Sequence, residues 1–318
     1  MAKIITVTVN TAIDKLVTAS SAGKSSLSSC SFAAGKGINV ARTVAELGEP
    51  VVALGFVGQS EVEFFQALAT EKLTIDLIPV AGSTRINTTT FDPRTNSTKH
   101  ERTAGFTISS ECVVQLLHSI GDVVAPGDYV IISGSIPVGA RADMYQEIID
   151  LCHARDANVI LDSSGEELRF GIKSQPFMIK PNLEELEELA GKQFDPTDEA
   201  AIVEAGMQIL ADVELVIVSR GQLGVIVVSR DSDPAIKASV SLDRPPMATG
   251  SVGSGDALVG GIAVGLKWKK PVDDTIRLGV ACGAANVISL GPGVCRFDDV
   301  QRLLDRVSIN SVQVTDEI

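Results

Sequence analysis

The sequence has few aromatic residues, few histidines and no paired cysteine motif, and each shortage excludes a class of protein. Aromatic side chains make up only 4% of the 318 residues, whereas 45% are apolar. Such a composition is typical of a parallel sheet that helices bury on both faces. The five cysteines are scattered without a C-x-x-C pair and the three histidines do not cluster. This pattern argues against a disulfide framework and against a zinc site.

Basic residues are also scarce, since 27 Lys and Arg face 40 Asp and Glu and the formal net charge is -13. A surface this acidic repels nucleic acid and anionic lipid, so neither is expected as a partner. The amino terminus lacks the basic-then-apolar order of a signal peptide. No apolar run approaches the ~20 residues needed to span a bilayer. Together with the unpaired cysteines, these features predict a cytoplasmic protein.

Strand-like and helix-like segments alternate from about residue 50 onward, which predicts a doubly wound, mainly parallel sheet with right-handed crossovers. Strands are expected at 51–58, 129–133, 158–164, 176–181 and 215–219. Helices are expected at 60–72, 110–120, 141–154, 182–191 and 198–211. A meander at 224–242 and three helices within 255–308 complete the series. Ser60 and Glu63 have the spacing of a helix capping box.

Two polar regions, about 12–32 and 84–103, interrupt this alternation. Their Thr and Ile content favours strands over disordered loops, so we expect a small β-sheet lid beside the main sheet. The chain is therefore interpreted as a single α/β domain over residues 1–318 that carries a lid.

The turn Gly253-Ser254-Gly255 is the strongest candidate for a functional site. It leads directly into an apolar helix with Asp256 in the first turn, and ligands of open α/β sheets bind at such helix starts. Backbone amides there can hold an anion, while the carboxylate can accept the proton of an attacking hydroxyl. An Asp that merely caps a helix does not require three small residues before it. The segment therefore indicates phosphoryl transfer.

Two further turns are weaker candidates. Residues 33–48 form a second glycine turn that opens a helix and offers Lys36 and Asn39 as donors. At 180–186, Asn182 and Glu185 share one face of a first helical turn and could hold Mg²⁺ through water. For the pattern alone, an asparagine N-cap with an acidic first turn is the preferred interpretation of this segment.

Two nucleotide-binding motifs are excluded by single positions. Gly23-Lys24-Ser25 resembles the end of a P-loop, but Thr18 stands where that motif requires its first glycine. The dinucleotide fingerprint G-x-G-x-x-G is absent, since Val40 and Leu258 occupy the third glycine positions.

The order of these segments resembles the ribokinase or PfkB family of carbohydrate kinases over essentially the whole chain. The likeness is strongest to the phosphofructokinase and tagatose-phosphate kinase branch. It implies a ribokinase-like fold with a β lid, ATP and Mg²⁺ as cofactors, and a homodimer formed through the lid. The matching segments are TVTVNTAIDKLV (6–17), GKGINVARTVAELG (35–48), TRIN (84–87), SGSIP (133–137), LDSSGEEL (161–168), KPNLEEL (180–186), VSRGQLG (218–224) and VGSGDALVGG (252–261).

The resemblance also implies a role for individual residues. Asp256 would be the general base, with the amides of Gly253, Ser254 and Gly255 as the anion hole. Sugar hydroxyls would be held by Asp14, Gly37 and Asn39, and the phosphate already on the substrate by Lys36, Arg85, Arg102 and Ser135. The nucleotide side would comprise Lys180, Asn182, Ser219, Gly221, Gly224 and Asn286, with Glu185 holding Mg²⁺ through water.

The identity of the substrate stays open at this point. A ketohexose phosphate (fructose 6-phosphate, fructose 1-phosphate or tagatose 6-phosphate) suits the cations of the lid. The alternatives are a kinase of an unphosphorylated sugar or a nucleoside, and a non-catalytic sugar or nucleotide sensor on the same fold.

Overall fold

The structure is a computed structural model that describes residues 2–18, 28–92, 95, 97–230, 232–247 and 251–312. Residues 19–27, and with them part of the first predicted lid region and the sequence Gly23-Lys24-Ser25, lie outside this description.

A ten-stranded sheet runs through the molecule, and seven of its strands are parallel to their neighbours. The parallel strands, numbered in chain order, are β1 (Ile4–Thr8), β4 (Val51–Gly58), β5 (Leu73–Val80), β8 (Tyr129–Ser133), β9 (Asn158–Asp162), β10 (Met178–Ile179) and β11 (Leu215–Ser219). Three antiparallel strands extend one edge, namely β12 (Val225–Ser229), β13 (Ser232–Val240) and β14 (Val307–Ser311). The strand order is β14-β13-β12-β11-β10-β9-β8-β1-β4-β5.

Helices cover both faces of this sheet, which explains why its central strands are apolar throughout. One face packs against α1 (Lys36–Glu46), α2 (Val62–Gln66), α8 (Ser254–Lys267), α9 (Val272–Val287) and α10 (Phe297–Leu304). The other packs against α3 (Ser110–Val123), α4 (Met144–His153), α5 (Gly165–Lys173), α6 (Leu183–Ala190) and α7 (Glu199–Ile209). Along β8, Ile131 faces the first core and Ile132 the second. The predicted doubly wound α/β fold is confirmed.

The predicted lid is a separate four-stranded sheet in the order β3-β2-β6-β7. Its strands are β2 (Ala12–Thr18), β3 (Ser28–Ala34), β6 (Arg85–Asp92) and β7 (Ser97–Arg102). Strands β2 and β6 run parallel, with Asp14 opposite Asn87. All six residues of β7 are exposed, so the lid ends in an open edge.

Several local predictions were wrong. The segment after β4 forms a 3₁₀ turn over Gln59–Glu61 and then only the short helix α2. The capping box of Ser60 and Glu63 does not form, because the chain turns at Glu61, whose carboxylate accepts the backbone N–H of Thr84 at 2.8 Å. Strand β10 is two residues long rather than six, and β5 and β14 were not predicted. Among the described residues, no helix has the length and apolarity needed to cross a membrane.

Candidate active site

The start of helix α8 has the geometry that its sequence predicts. Gly253 is the N-cap with φ +82°, and a Cβ there would lie 2.6 Å from the backbone nitrogen of Gly293. Only glycine satisfies both the left-handed backbone and this close approach. Asp256 follows in the first turn and is 7% exposed. The turn therefore presents backbone amides beside a buried carboxylate.

Asp256 belongs to a buried cluster of charges that three other parts of the chain complete. Asp162, the last residue of β9, lies 3.2 Å from Nζ of Lys36 and 3.3 Å from Nζ of Lys180 through Oδ1. Lys180 also reaches the α8 turn, since a Cβ at Gly255 would lie 3.6 Å from its Nζ. The cluster thus sits at the carboxyl ends of the parallel strands, where this fold class binds ligands.

The charged groups of this cluster shift one another's pKa values. Burial, together with the nearby charge of Asp162, raises the pKa of Asp256 to about 6, although Lys36, Asn39 and Lys180 partly oppose the rise. Burial alone would raise the pKa of Asp162, but Lys180 and Lys36 outweigh it and lower that pKa. Burial would likewise lower the pKa of Lys36, yet the neighbouring carboxylates raise it. A carboxyl with a pKa near 6 is suited to accept a proton near neutral pH.

The lid contributes a second group of polar residues. Asp14 on β2 accepts a hydrogen bond from Nδ2 of Asn87 at 2.8 Å. Burial raises the pKa of Asp14, while Asn87, Arg85 and Arg102 oppose that rise. Both arginines therefore lie near this carboxylate. The lid thus brings together Asp14, Arg85 and Arg102.

A short chain of hydrogen bonds joins Arg85 to the main sheet. Its Nη2 donates to the backbone carbonyl of Asn10 at 3.2 Å, and Nδ2 of Asn10 donates to Oγ of Ser135 at 3.2 Å. The Nε of Arg85 is buried and has no hydrogen-bond partner among the residues described. Lys36, in contrast, lies with Asp162 and Asp256 rather than with this group.

The segment Asn182–Glu185 forms the helix cap that its pattern favours. Oδ1 of Asn182 accepts the backbone N–H of Glu185 at 2.7 Å, and Oε2 of Glu185 accepts the backbone N–H of Asn182 at 2.8 Å. An isolated bridge pairs Asn182 with Ser219, and Gly221 follows in open space with φ +58°. These residues line up at the strand ends beside the charge cluster.

Three of the other predicted site residues make structural contacts, two by close packing and one by a hydrogen bond. A Cβ at Gly37 would lie 2.4 Å from Oγ1 of Thr8, and one at Gly224 would lie 2.1 Å from the carbonyl oxygen of Ala238. Nδ2 of Asn286 donates to the carbonyl of Val252 at 2.9 Å, so it fixes the approach to the α8 turn.

Two residues of the site were missed by sequence reasoning. Asp162 is the first polar residue after the apolar part of the predicted strand 158–164, a position where carboxylates often serve a site, and this signal could have found it. Asn87 follows Arg85 by two residues in β6 and so shares its face of the strand. Neither residue's partner could be read from the sequence, because the partners lie on other elements.

The described residues contain no group of three or more His, Cys, Asp or Glu side chains that could hold a metal ion alone. Mg²⁺ does not need such a cage, because it keeps several waters and binds one or two carboxylates together with substrate phosphates. Glu185, on the first turn of α6, fits a contact of this kind.

The site combines a carboxylate whose pKa is raised to about 6, amides at a helix start, the buried cation Lys180 and the half-buried cation Lys36. These are groups that suit the transfer of phosphate to a hydroxyl. The comparison with known proteins agrees. The chain belongs to the pfkB family of carbohydrate kinases, whose model matches residues 28–298. It is therefore a sugar kinase.

Its relatives are similar over nearly their full lengths. The chain is 33% identical to the 1-phosphofructokinase of Bacillus subtilis, covering 96% of this chain and 99% of the relative. It is 33% identical to the ATP-dependent 6-phosphofructokinase isozyme 2 of Mycobacterium tuberculosis, covering 95% and 89%. The structure of phosphofructokinase-2 from Escherichia coli superposes with a TM-score of 0.85 at 25% identity, covering 96% and 99%.

Proposed function

We propose that the protein transfers the γ-phosphoryl group of ATP to a free hydroxyl of a ketohexose phosphate and so produces the bisphosphate. The relatives named 1-phosphofructokinase and ATP-dependent 6-phosphofructokinase isozyme 2 both support this substrate class. Phosphorylating the other end of either fructose phosphate gives the same fructose 1,6-bisphosphate. Tagatose 6-phosphate is the third substrate of this class.

The lid supplies the observation that carries this proposal. The charges of Arg85 and Arg102 both lower the pKa of Asp14. The Nε of Arg85 is buried and has no hydrogen-bond partner among the residues described. A sugar phosphate satisfies both features, since its phosphate accepts from the arginines while a hydroxyl donates to Asp14. Ser135 lies at the end of the same hydrogen-bonded chain. In a protein of net charge -13 this local group of cations favours an anionic substrate.

Asp256 is the general base of the proposed reaction. It takes the proton of the sugar hydroxyl as that oxygen forms a bond to the γ-phosphorus, and the bond from phosphorus to the ADP oxygen breaks. The amides of Gly253, Ser254 and Gly255 stabilise the charge on the moving phosphoryl group. Lys180, beside the same turn, adds a positive charge. Lys36 lies beside Asp162 and Asp256, so its charge would act on the transferred phosphoryl group rather than on the phosphate already on the sugar.

The nucleotide lies along the neighbouring strand ends in this proposal. The residues assigned to it are Lys180, Asn182, Ser219, Gly221, Gly224 and Asn286. Gly224 and Asn286 act indirectly, by shaping the β11–β12 turn and the α8 turn. Glu185 would hold Mg²⁺ through water, and the ion would neutralise charge on the ATP phosphates.

A second copy of the chain is the proposed partner of the lid. The exposed edge strand β7 leaves main-chain groups available for a neighbour, and such edges are normally covered or paired. We therefore expect a homodimer formed through the lid. Light scattering of the purified protein measures its molar mass and so tests this expectation.

A screen with a coupled ADP assay tests the proposed function. Fructose 1-phosphate, fructose 6-phosphate and tagatose 6-phosphate are compared with fructose, ribose and a nucleoside. We expect at least one phosphorylated ketohexose to exceed every neutral acceptor in kcat/KM. Turnover of a neutral sugar or nucleoside alone would reject the sugar-phosphate assignment, and nucleotide binding without turnover would indicate a sensor.

Replacing Arg102 by alanine tests recognition of the phosphate on the substrate. We expect the KM for the sugar phosphate to rise about 10- to 100-fold, since a hydrogen bond to a charged group contributes about 1.5–3 kcal/mol. The KM for ATP should stay unchanged. Steady-state kinetics with each substrate varied in turn measures both constants.

Lys99→Ala is the matched control for Arg102, because Lys99 lies on the same strand with its side chain 72% exposed and paired to Glu101. It should leave both KM values unchanged. If Arg102→Ala behaves like this control, the lid does not recognise a phosphate.

A further inference from the structure

Asn39, on helix α1, contacts the proposed base directly. Its Nδ2 donates to Oδ2 of Asp256 at 2.7 Å, and the residue is only 4% exposed. Its other side-chain atom, Oδ1, is buried and accepts no hydrogen bond from any residue in the described part of the chain. The side chain thus has one atom committed to the carboxylate and one acceptor that a ligand can use.

The surroundings of Asn39 hold it in this position. A Cβ at Gly293 would lie 2.6 Å from both Cα and Cβ of Asn39, so the 291–293 loop packs directly on the residue. Nη1 of Arg42 donates to the carbonyl of Pro292 at 3.0 Å and ties that loop to α1. The same loop abuts the N-cap of α8, because a Cβ at Gly253 would lie 2.6 Å from the nitrogen of Gly293. Asn39, the loop and the α8 turn therefore form one packed unit.

We propose that Asn39 is a positioning residue for the kinase reaction, and this inference rests on the proposed function of Asp256. Its amide group binds Oδ2 of the ionised carboxylate, so that Oδ1 of Asp256 is the oxygen presented to the reacting hydroxyl. The amide nitrogen of Asn39 thereby sets the orientation of the base, while its Oδ1 stays available for the sugar hydroxyl that the family resemblance implies.

The charges around Asp256 explain why this amide matters. Asp162 at the end of β9 opposes ionisation of Asp256, while Lys36 of α1 and Lys180 after β10 favour it. Asn39 adds a neutral donor, which stabilises the carboxylate but not the protonated acid. Loss of that donor therefore makes Asp256 harder to ionise at neutral pH.

Asn39→Leu tests the inference, because leucine keeps the approximate size and removes both polar atoms. In wild type we expect kcat/KM for the sugar phosphate to fall below pH about 6, where Asp256 becomes protonated. In the variant this acid limb should move up by about one pH unit, the shift expected for losing a hydrogen bond to a charged group. At pH 7, where the ionised fraction of Asp256 drops from about nine-tenths to about one-half, kcat should fall about 2-fold and recover at pH 8.5.

Thr43→Val is the matched control, since Thr43 lies one turn further along α1 and its Oγ1 donates to the backbone carbonyl of Asn39 at 3.2 Å rather than to the Asn39 side chain. It should leave the acid limb in place. An Asn39→Leu variant with an unmoved limb and a raised KM alone would overturn the positioning role. An equal loss of kcat at every pH would overturn it as well.

A measurement without turnover separates this inference from the proposed function. The contribution of Asp256 to wild-type stability, isolated as the difference in Tm from Asp256→Asn, should fall as pH rises from about 4 to 6, because the pKa of Asp256 is raised in the folded state. In Asn39→Leu the fall should extend about one pH unit higher in thermal unfolding scans. If this extension appears while Asp256→Asn remains active, the contact is real and the base assignment fails. If it is absent, the inference fails.

Discussion

Asp256→Asn is expected to lower kcat by about 10²- to 10⁴-fold while the KM values for ATP and the sugar phosphate change little. Asparagine keeps the shape of the side chain and still accepts the hydrogen bond from Asn39, but it cannot take a proton. Single-turnover kinetics with rapid quenching isolates the chemical step and measures the loss directly. An unchanged kcat would show that Asp256 is not the base.

Asp273→Asn provides the comparison for this variant. Asp273 also lies in the first turn of a helix, α9, but its side chain is exposed to solvent. It should retain full activity. A comparable loss in both variants would trace the effect to the preparation rather than to the chemistry.

The same Asp256→Asn variant should be more stable than wild type at neutral pH. Burial and Asp162 raise the pKa of Asp256 from 3.8 to about 6, so its ionisation costs folding free energy as pH rises through this range. The full cost, up to about 3 kcal/mol, is present above pH 6. Urea unfolding should show this gain at pH 7.5 and its disappearance near pH 4. A variant that is inactive yet more stable has lost a proton acceptor, not its fold.

Asp162→Asn is expected to have the second largest effect, a loss of roughly 3–5 kcal/mol in the free energy of unfolding. Asp162 is 1% exposed and is the buried anion that balances Lys180, whose side chain is only 6% exposed. Without it, the amino group of Lys180 is buried with no carboxylate in contact. Lys36 can be solvated by water more easily, since its side chain is 36% exposed. Urea unfolding at pH 7.5 measures the loss.

Asp143→Asn is the control for Asp162, because Asp143 pairs with Arg141 on the surface. Its removal should leave the unfolding midpoint essentially unchanged, as exposed ion pairs contribute little. The acid limb of activity in Asp162→Asn should also move to lower pH, since the charge that raises the pKa of Asp256 is gone. A stable Asp162→Asn variant with an unmoved limb would contradict the proposed charge cluster.

The periodicity of the sequence was sufficient to predict the doubly wound sheet and the lid. Strand β8 and strand β11 were predicted to the residue because both are uninterrupted apolar runs buried on two sides. The helix after β4 was predicted too long and with the wrong cap. There the contact between Glu61 and Thr84, which joins two distant segments, overrides the local capping signal.

The site was predictable only in part for the same physical reason. Asp256 stands out because three small residues precede it, a local pattern. Its relations to Asp162 and Asn39 are not local, since Asn39 lies 217 residues away along the chain. Spacing along a sequence does not encode which strand ends become neighbours. The composition of the lid strands predicted the lid itself, whereas Arg85 and Arg102 were assigned through the family resemblance.

The position of the loop at 291–293 determines when the site can form during synthesis of the chain. The loop packs between residue 39 near the beginning of the chain and residue 253 near its end. Ribosomes synthesise a protein from its amino terminus, so the lid strands β2 and β3 leave the ribosome long before this loop is made. A nascent chain that ends before residue 291 therefore lacks the contacts that the loop makes with residues 39 and 253. We expect the proposed site to be complete only when synthesis is nearly finished.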